Sequence, residues 1–170
     1  MPWGVIDNHS GRLKILAIVA LILAILMVIF GIIIAALWCE HYKHYYLYEN
    51  RVQHVLPTYR CAHGHYGGVG ISAGIIGIIG GVLGLIGLNN GNTIPIIVHC
   101  IFCIVSTIMD LGATISCFHL WGFYGSHYGG FTAATVFQFF VVLTHLVISC
   151  VQAFYMLSQW CVTTIVIVDA

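Results

Sequence analysis

Charge is what this chain has least of. Five Lys and Arg and five Asp and Glu make up only 6% of its 170 residues, and the formal net charge is zero. A water-soluble protein of this size needs far more charge on its surface, so lipid is expected to cover most of the exterior. No basic run exists either, which argues against a nucleic-acid partner or a polybasic lipid-binding role. An H-E-x-x-H motif and a nucleotide loop are also missing, and Asp110 is the only acid inside the long apolar segments. No enzyme and no cofactor are expected. Once the apolar segments are subtracted, little length remains for a separate soluble domain.

What is abundant is apolar length. The chain is 61% hydrophobic, with a mean hydropathy of +1.03. Four runs, over 15–38, 67–88, 94–120 and 131–160, are each long enough at about 1.5 Å per residue to cross a bilayer core of roughly 30 Å. The fold expected is an all-α integral membrane four-helix bundle, a tetraspan, with both termini on the same side. The first run exceeds the roughly 7 to 15 residues of a signal-peptide core, so it reads as a retained helix. It carries almost no polar group and can face lipid over most of its surface.

The second run, GGVGISAGIIGIIGGVLGLIGL over 67–88, is the organising element. Gly70, Gly74, Gly77, Gly81 and Gly84 are separated by alternating steps of four and three and form one stripe; Ala73, Gly77, Gly80, Gly84 and Gly87 form a second beside it. In water each glycine costs a helix about 1 kcal/mol against alanine. In lipid the backbone must bond to itself, and small residues let a neighbouring helix come close. The stripe therefore reads as a packing spine, inside one chain or between copies, with the intramolecular use preferred because three other helices need partners.

Around the spans lie a short lead (1–14), a first loop over 39–66, a tight NNGNT turn over 89–93, a second loop over 121–130 and a tail over 161–170. Arg12 and Lys14 at the mouth of the first helix favour cytoplasmic termini, although Lys43, Arg51 and Arg60 sit in the opposite loop. The plasma membrane is the expected location. The sequon at Asn8 would then stay unmodified, and Trp38, Tyr42, Trp121, Phe123 and Tyr124 would form an interfacial belt on the outer side.

Two spans carry polar faces. The third places His99, Cys103, Ser106, Asp110, Thr114 and Cys117 on one side, and the fourth does the same with Gln138, His145, Ser149 and Gln152. Counted from the second loop, Asp110 and His145 differ in depth by about 7 Å. An Asp110–His145 contact is feasible with tilt, and Asp110–Gln138 is the competing pair. An ionisable residue at membrane depth is a functional candidate by default, so a proton or cation path through Asp110, His99 and His145 is one expectation. The plainer one is that the two faces bond to each other and hold the helix pair, at about 1 kcal/mol per contact.

Seven of the ten histidines fall in the presumed outer segments. HYKH and CAHGH offer His41, His44, Cys61, His63 and His65 as candidate metal ligands, in a spacing that matches no recognised zinc pattern. Cys39 with Cys61 is the first choice for a disulfide, which would pin the first loop to its own base. Cys100, Cys103 and Cys150 read as small apolar residues of the bilayer, and Cys161 as a candidate palmitate acceptor.

With HYGGVGISAGIIGIIGGVLGLIG in the second span and FFVVLTHLVISCVQAF in the fourth, the chain resembles the membrane-spanning four-domain family, which includes the beta chain of the high-affinity IgE receptor. His145 stands where that family often has an acid, the first loop is long and the tails are short. The resemblance implies a non-enzymatic accessory subunit or oligomeric scaffold, partnered by membrane lipids and by another membrane protein or further copies of itself. A small oligomeric cation or proton channel, or a metal-binding membrane protein, are the alternatives.

Overall fold

Each apolar run folds as one helix. The computed structural model describes residues 10–49, 65–124 and 129–168, with side chains over 11–37, 67–119 and 129–156. The helices are α1 (Ser10–Glu49), α2 (His65–Asn90), α3 (Thr93–Tyr124) and α4 (Gly129–Val168). Within them Gly11–Leu37, Gly67–Asn90, Thr93–His119 and Gly129–Met156 are long and apolar enough to cross a membrane. The chain is an all-α multi-pass membrane protein built as a four-helix bundle. Helix α2 packs on α1 and α3, and α4 closes the circuit against α1 and α3, so consecutive helices are neighbours.

Helix ends follow local chemistry. Helix α1 continues beyond its apolar run because CEHYKHYYLYE, over 39–49, holds no glycine or proline to stop it; the first loop thus begins as helix. Between α2 and α3 the reversal is very tight. Gly91 adopts φ 64°, and Asn92 N–H donates to Gly87 O at 2.9 Å, which is the Schellman way of ending a helix. The Asn92 side chain then accepts from Ile94 N–H at 3.2 Å and caps α3. Pro95 sits in the first turn, where no backbone donor is lost.

The buried positions repeat every 3.5 residues in all four helices. On α1 they are Leu13, Ala17, Ala20, Ala24, Met27, Gly31 and Ile34, and on α2 Gly67, Gly70, Gly74, Gly77, Gly81, Gly84 and Leu88. Helix α3 buries Ile96, His99, Cys103, Ser106, Asp110, Ala113 and Cys117; α4 buries Phe131, Thr135, Gln138, Val142, His145, Ser149 and Gln152. A seam of that period keeps facing its partners when helices wind around each other left-handedly. The outward faces are isoleucine, valine and phenylalanine, including Ile22 and Ile29 on α1, Ile79 and Ile86 on α2, and Ile101 and Ile108 on α3. Lipid is their natural solvent.

Candidate functional site

The glycines of α2 are used inside the chain. A Cβ on Gly74 would stand 2.8 Å from Ala24 O and 2.9 Å from Val28 N, and one on Gly67 2.7 Å from Gly31 O, so backbone meets backbone along α1. Gly80 and Gly87 instead make room for α3 side chains, with Cβ positions 2.7 Å from Phe102 Cβ and 2.8 Å from Ile96 Cγ1. Gly70, Gly77 and Gly84 face the interior, and each makes room for one polar side chain of α3: Asp110, Ser106 and His99 in turn. A bare helix is what lets a polar ladder fit inside a bundle this narrow.

The ladder is closed at both ends. Near the Gly91 turn Leu13, Ala17, Leu88 and Ile96 form an apolar cluster, with Leu85, Tyr155 and Met156 packed on it. At the far end Ile34, Cys117, Phe131 and Ala134 form another, backed by Phe30 and Leu37. Beside buried Met27, Val142 and several alanines, the interior holds a buried polar set: His99, Ser106, Thr107, Asp110, Thr114, Thr135, Gln138, His145, Ser149 and Gln152. All of it comes from α3 and α4.

Three levels can be followed along the axis. Near the turn end, His99 holds Gly80 O through Nδ1 at 2.9 Å and the Gln152 side-chain amide through Nε2 at 3.2 Å. Ser106 donates to Ala73 O at 2.7 Å, tying α3 to the α2 backbone. At the next level the Thr107 hydroxyl donates to Cys103 O at 2.7 Å, which uses its only hydrogen. His145 must therefore be the donor in the 2.8 Å contact between its Nδ1 and Thr107 Oγ1. In a neutral ring that leaves Nε2 as an acceptor, and Nε2 is buried without a partner.

At the third level Gln138 Nε2 donates to Asp110 Oδ2. Both residues are only 1% exposed. Gln138 Oε1 is again buried without a partner. Of the two pairings open to Asp110, the bundle makes the one with Gln138, and His145 bonds Thr107 instead. Cys103 joins the first two levels, its Sγ lying 3.4 Å from His99 Nδ1 and its carbonyl accepting from Thr107, whereas the Asp110–Gln138 pair has no hydrogen bond to either histidine among the described residues.

Thr107 and Thr135 were the polar core residues least visible in the sequence. Thr107 lies one step off the His99 face, and its only signal is the spacing of four to Cys103. Thr135 precedes Gln138 by three and extends the α4 face. The remaining in-span cysteines divide by position: Cys103 and Cys117 are buried, Cys100 is half-buried and Cys150 faces outward.

One spelling in α2 invites a different chemistry. Gly70-Ile71-Ser72-Ala73-Gly74 fits G-x-S-x-G, and the overlapping GVGISA fits a dinucleotide fingerprint ending in alanine. Both need a turn from strand to helix. Here Ser72 lies in mid-helix on the outward face, and its hydroxyl donates to Gly68 O at 2.9 Å. The spelling comes from glycine packing.

Of the outer-side candidates, Cys61 and His63 lie outside the described residues, and only the backbone is described for Cys39, His41, His44 and His65, as for Cys161 towards the C-terminal end of α4. Among the described residues no three His, Cys, Asp or Glu side chains gather as a metal site. Compared with known proteins, the chain matches no family model, no curated protein and no solved structure.

Proposed function

We propose that this chain is a non-enzymatic four-span protein, of the plasma membrane with cytoplasmic termini, that acts by lateral association as an accessory subunit or scaffold of a membrane complex. One observation carries the reading: small and polar seams turn inward, both ends of the interior are plugged by apolar side chains, and what the surroundings meet is a lateral apolar surface. On α1 to α3 that surface is aliphatic. On α4 it carries Phe137, Phe140 and Phe154 along with Val136, Val147 and Val151, and Phe154 is 71% exposed. Large rigid aromatics on one outward stripe give a neighbouring transmembrane helix more to grip than isoleucine does. The resemblance to the membrane-spanning four-domain family points the same way.

The test is the double substitution Phe140→Ala with Phe154→Ala. Both side chains are exposed, so the unfolding temperature should hold while the amount of partner cross-linked in the native membrane falls. Unchanged cross-linking would remove the α4 phenylalanines from the account.

A second reading, proton or cation movement, is favoured by the two buried unpartnered atoms, Gln138 Oε1 and His145 Nε2. Ion flux into liposomes holding only this chain, lost in Asp110→Asn, would favour it over association.

A further inference from the structure

The Asp110 level contains more acceptors than donors. A cavity of about 10 Å³, lined among others by Gly31, Gly67, Gly70, Asp110, Thr114 and Gln138, sits between the four helices there. That is about the space of one water molecule. Three of the lining side chains carry oxygens, and with Asp110 ionised none of those oxygens has a free hydrogen to give. Gln138 Oε1 is a carbonyl oxygen, fully buried and unpartnered. The Asp110 carboxylate accepts from Gln138 through Oδ2, while Oδ1 takes no hydrogen bond from a described residue and lies 3.0 Å from where a Cβ on Gly70 would stand. Thr114 has already given its proton to Asp110 O, at 2.8 Å, and keeps only lone pairs.

Charge is unbalanced in the same place. The Lys and Arg side chains described are Arg12 and Lys14, in the first turns of α1. Gly31, which faces Gly70, is 17 residues further along, about 25 Å at 1.5 Å per residue. A carboxylate that stays ionised inside a membrane bundle needs a compensating charge, and no described Lys or Arg can reach Asp110.

We propose that the cavity between Asp110, Gln138 and Thr114 is a binding site for one small monovalent cation of the Na+ or Li+ class, ligated by oxygen. A single carboxylate and space for one water suit neither Ca2+, with its six to eight oxygens, nor Mg2+, which retains several waters. The site stands whether or not the protein moves ions. A cation held there would lock α3 to α4 and to the Gly70 turn of α2, and would complete the valence of Gln138 Oε1.

The experiment uses the full chain in lipid nanodiscs, equilibrated to constancy in NaCl or in N-methyl-D-glucamine chloride at equal ionic strength. The expected result is an unfolding temperature that climbs with Na+ concentration, as ligand linkage requires, and retention of radioactive 22Na+ at one ion per chain. Gly70→Ala places a methyl against Asp110 Oδ1 and should abolish both. Thr114→Val keeps the shape, since the hydroxyl bonds only its own helix, and should weaken Na+ retention several-fold in a folded protein. The proposal is overturned if neither readout responds to Na+, if N-methyl-D-glucamine produces the same stabilisation, or if folded Gly70→Ala and Thr114→Val proteins respond like the parent.

Discussion

Gly84 of α2 lies flat against the imidazole of His99, so that a Cβ there would stand 2.6 Å from the ring's Cγ. The ring is anchored by Gly80 O of α2 and by Gln152 of α4, so displacing it would break buried hydrogen bonds. Gly84→Ala should therefore cost about 1 to 3 kcal/mol, the usual range for overpacking a filled core. Gly112 on α3 has nothing within 4 Å of its Cβ position. Gly112→Ala should be neutral or stabilising by up to about 1 kcal/mol. Thermal unfolding of the two variants in one detergent compares them directly, and equal costs would mean that Gly84 does not face His99.

The pairing of Asp110 is open to a double-mutant cycle. Asp110→Leu combined with Gln138→Leu should show a coupling of about 1 kcal/mol, in the range found for hydrogen bonds between membrane helices. Asp110→Leu with His145→Leu should be additive to within about 0.5 kcal/mol. A larger coupling to His145 than to Gln138 would place α4 in a different register.

Thr107 and Thr144 test the second level. Both hydroxyls bond the carbonyl four residues back, but only Thr107 also accepts from His145. Thr107→Val leaves both nitrogens of a buried imidazole without partners and should cost about 1 to 3 kcal/mol. Thr144→Val, on the exposed side of α4, should stay within about 0.5 kcal/mol of the parent.

The apolar clusters at the two ends predict an interior closed to anything larger than a water molecule or a small ion. In intact membranes a membrane-impermeant maleimide should leave Cys103 and Cys117 unmodified from either side, although both label once the protein is unfolded. Labelling of either in the folded protein would mean that the ladder is open to larger molecules.

Much of this was legible because membrane burial is strict about pattern. Four runs long enough to span, a glycine stripe stepping by four and three, and acid, histidine and hydroxyl residues gathered on single faces of α3 and α4 all predict the bundle and its polar interior. The intramolecular use preferred for the glycine stripe is what the close approaches along α1 and α3 show. Less visible was the matching seam of α1, where Ala17, Ala20, Ala24 and Gly31 are small residues hidden among many other apolar ones. The partner of Asp110 was not decidable from spacing. The register of α4 is set by Phe131 and Ala134 packing near Ile34 at one end and by Tyr155 and Met156 packing near Leu13 at the other. Those contacts are tertiary, and no period within α4 encodes them. The helices also run on past the apolar segments, since residues just beyond such a run continue a helix until a breaker stops them, as 39–49 do after the first.

Native mass spectrometry of the protein, extracted gently from its own membrane, tests most directly the claim that this closed bundle works through its lateral surface. The account predicts the chain in a complex of fixed stoichiometry, with a second membrane protein or with further copies of itself, that loosens in the Phe140→Ala, Phe154→Ala double variant. A strictly monomeric chain carrying only lipid, unchanged by that substitution, would contradict it.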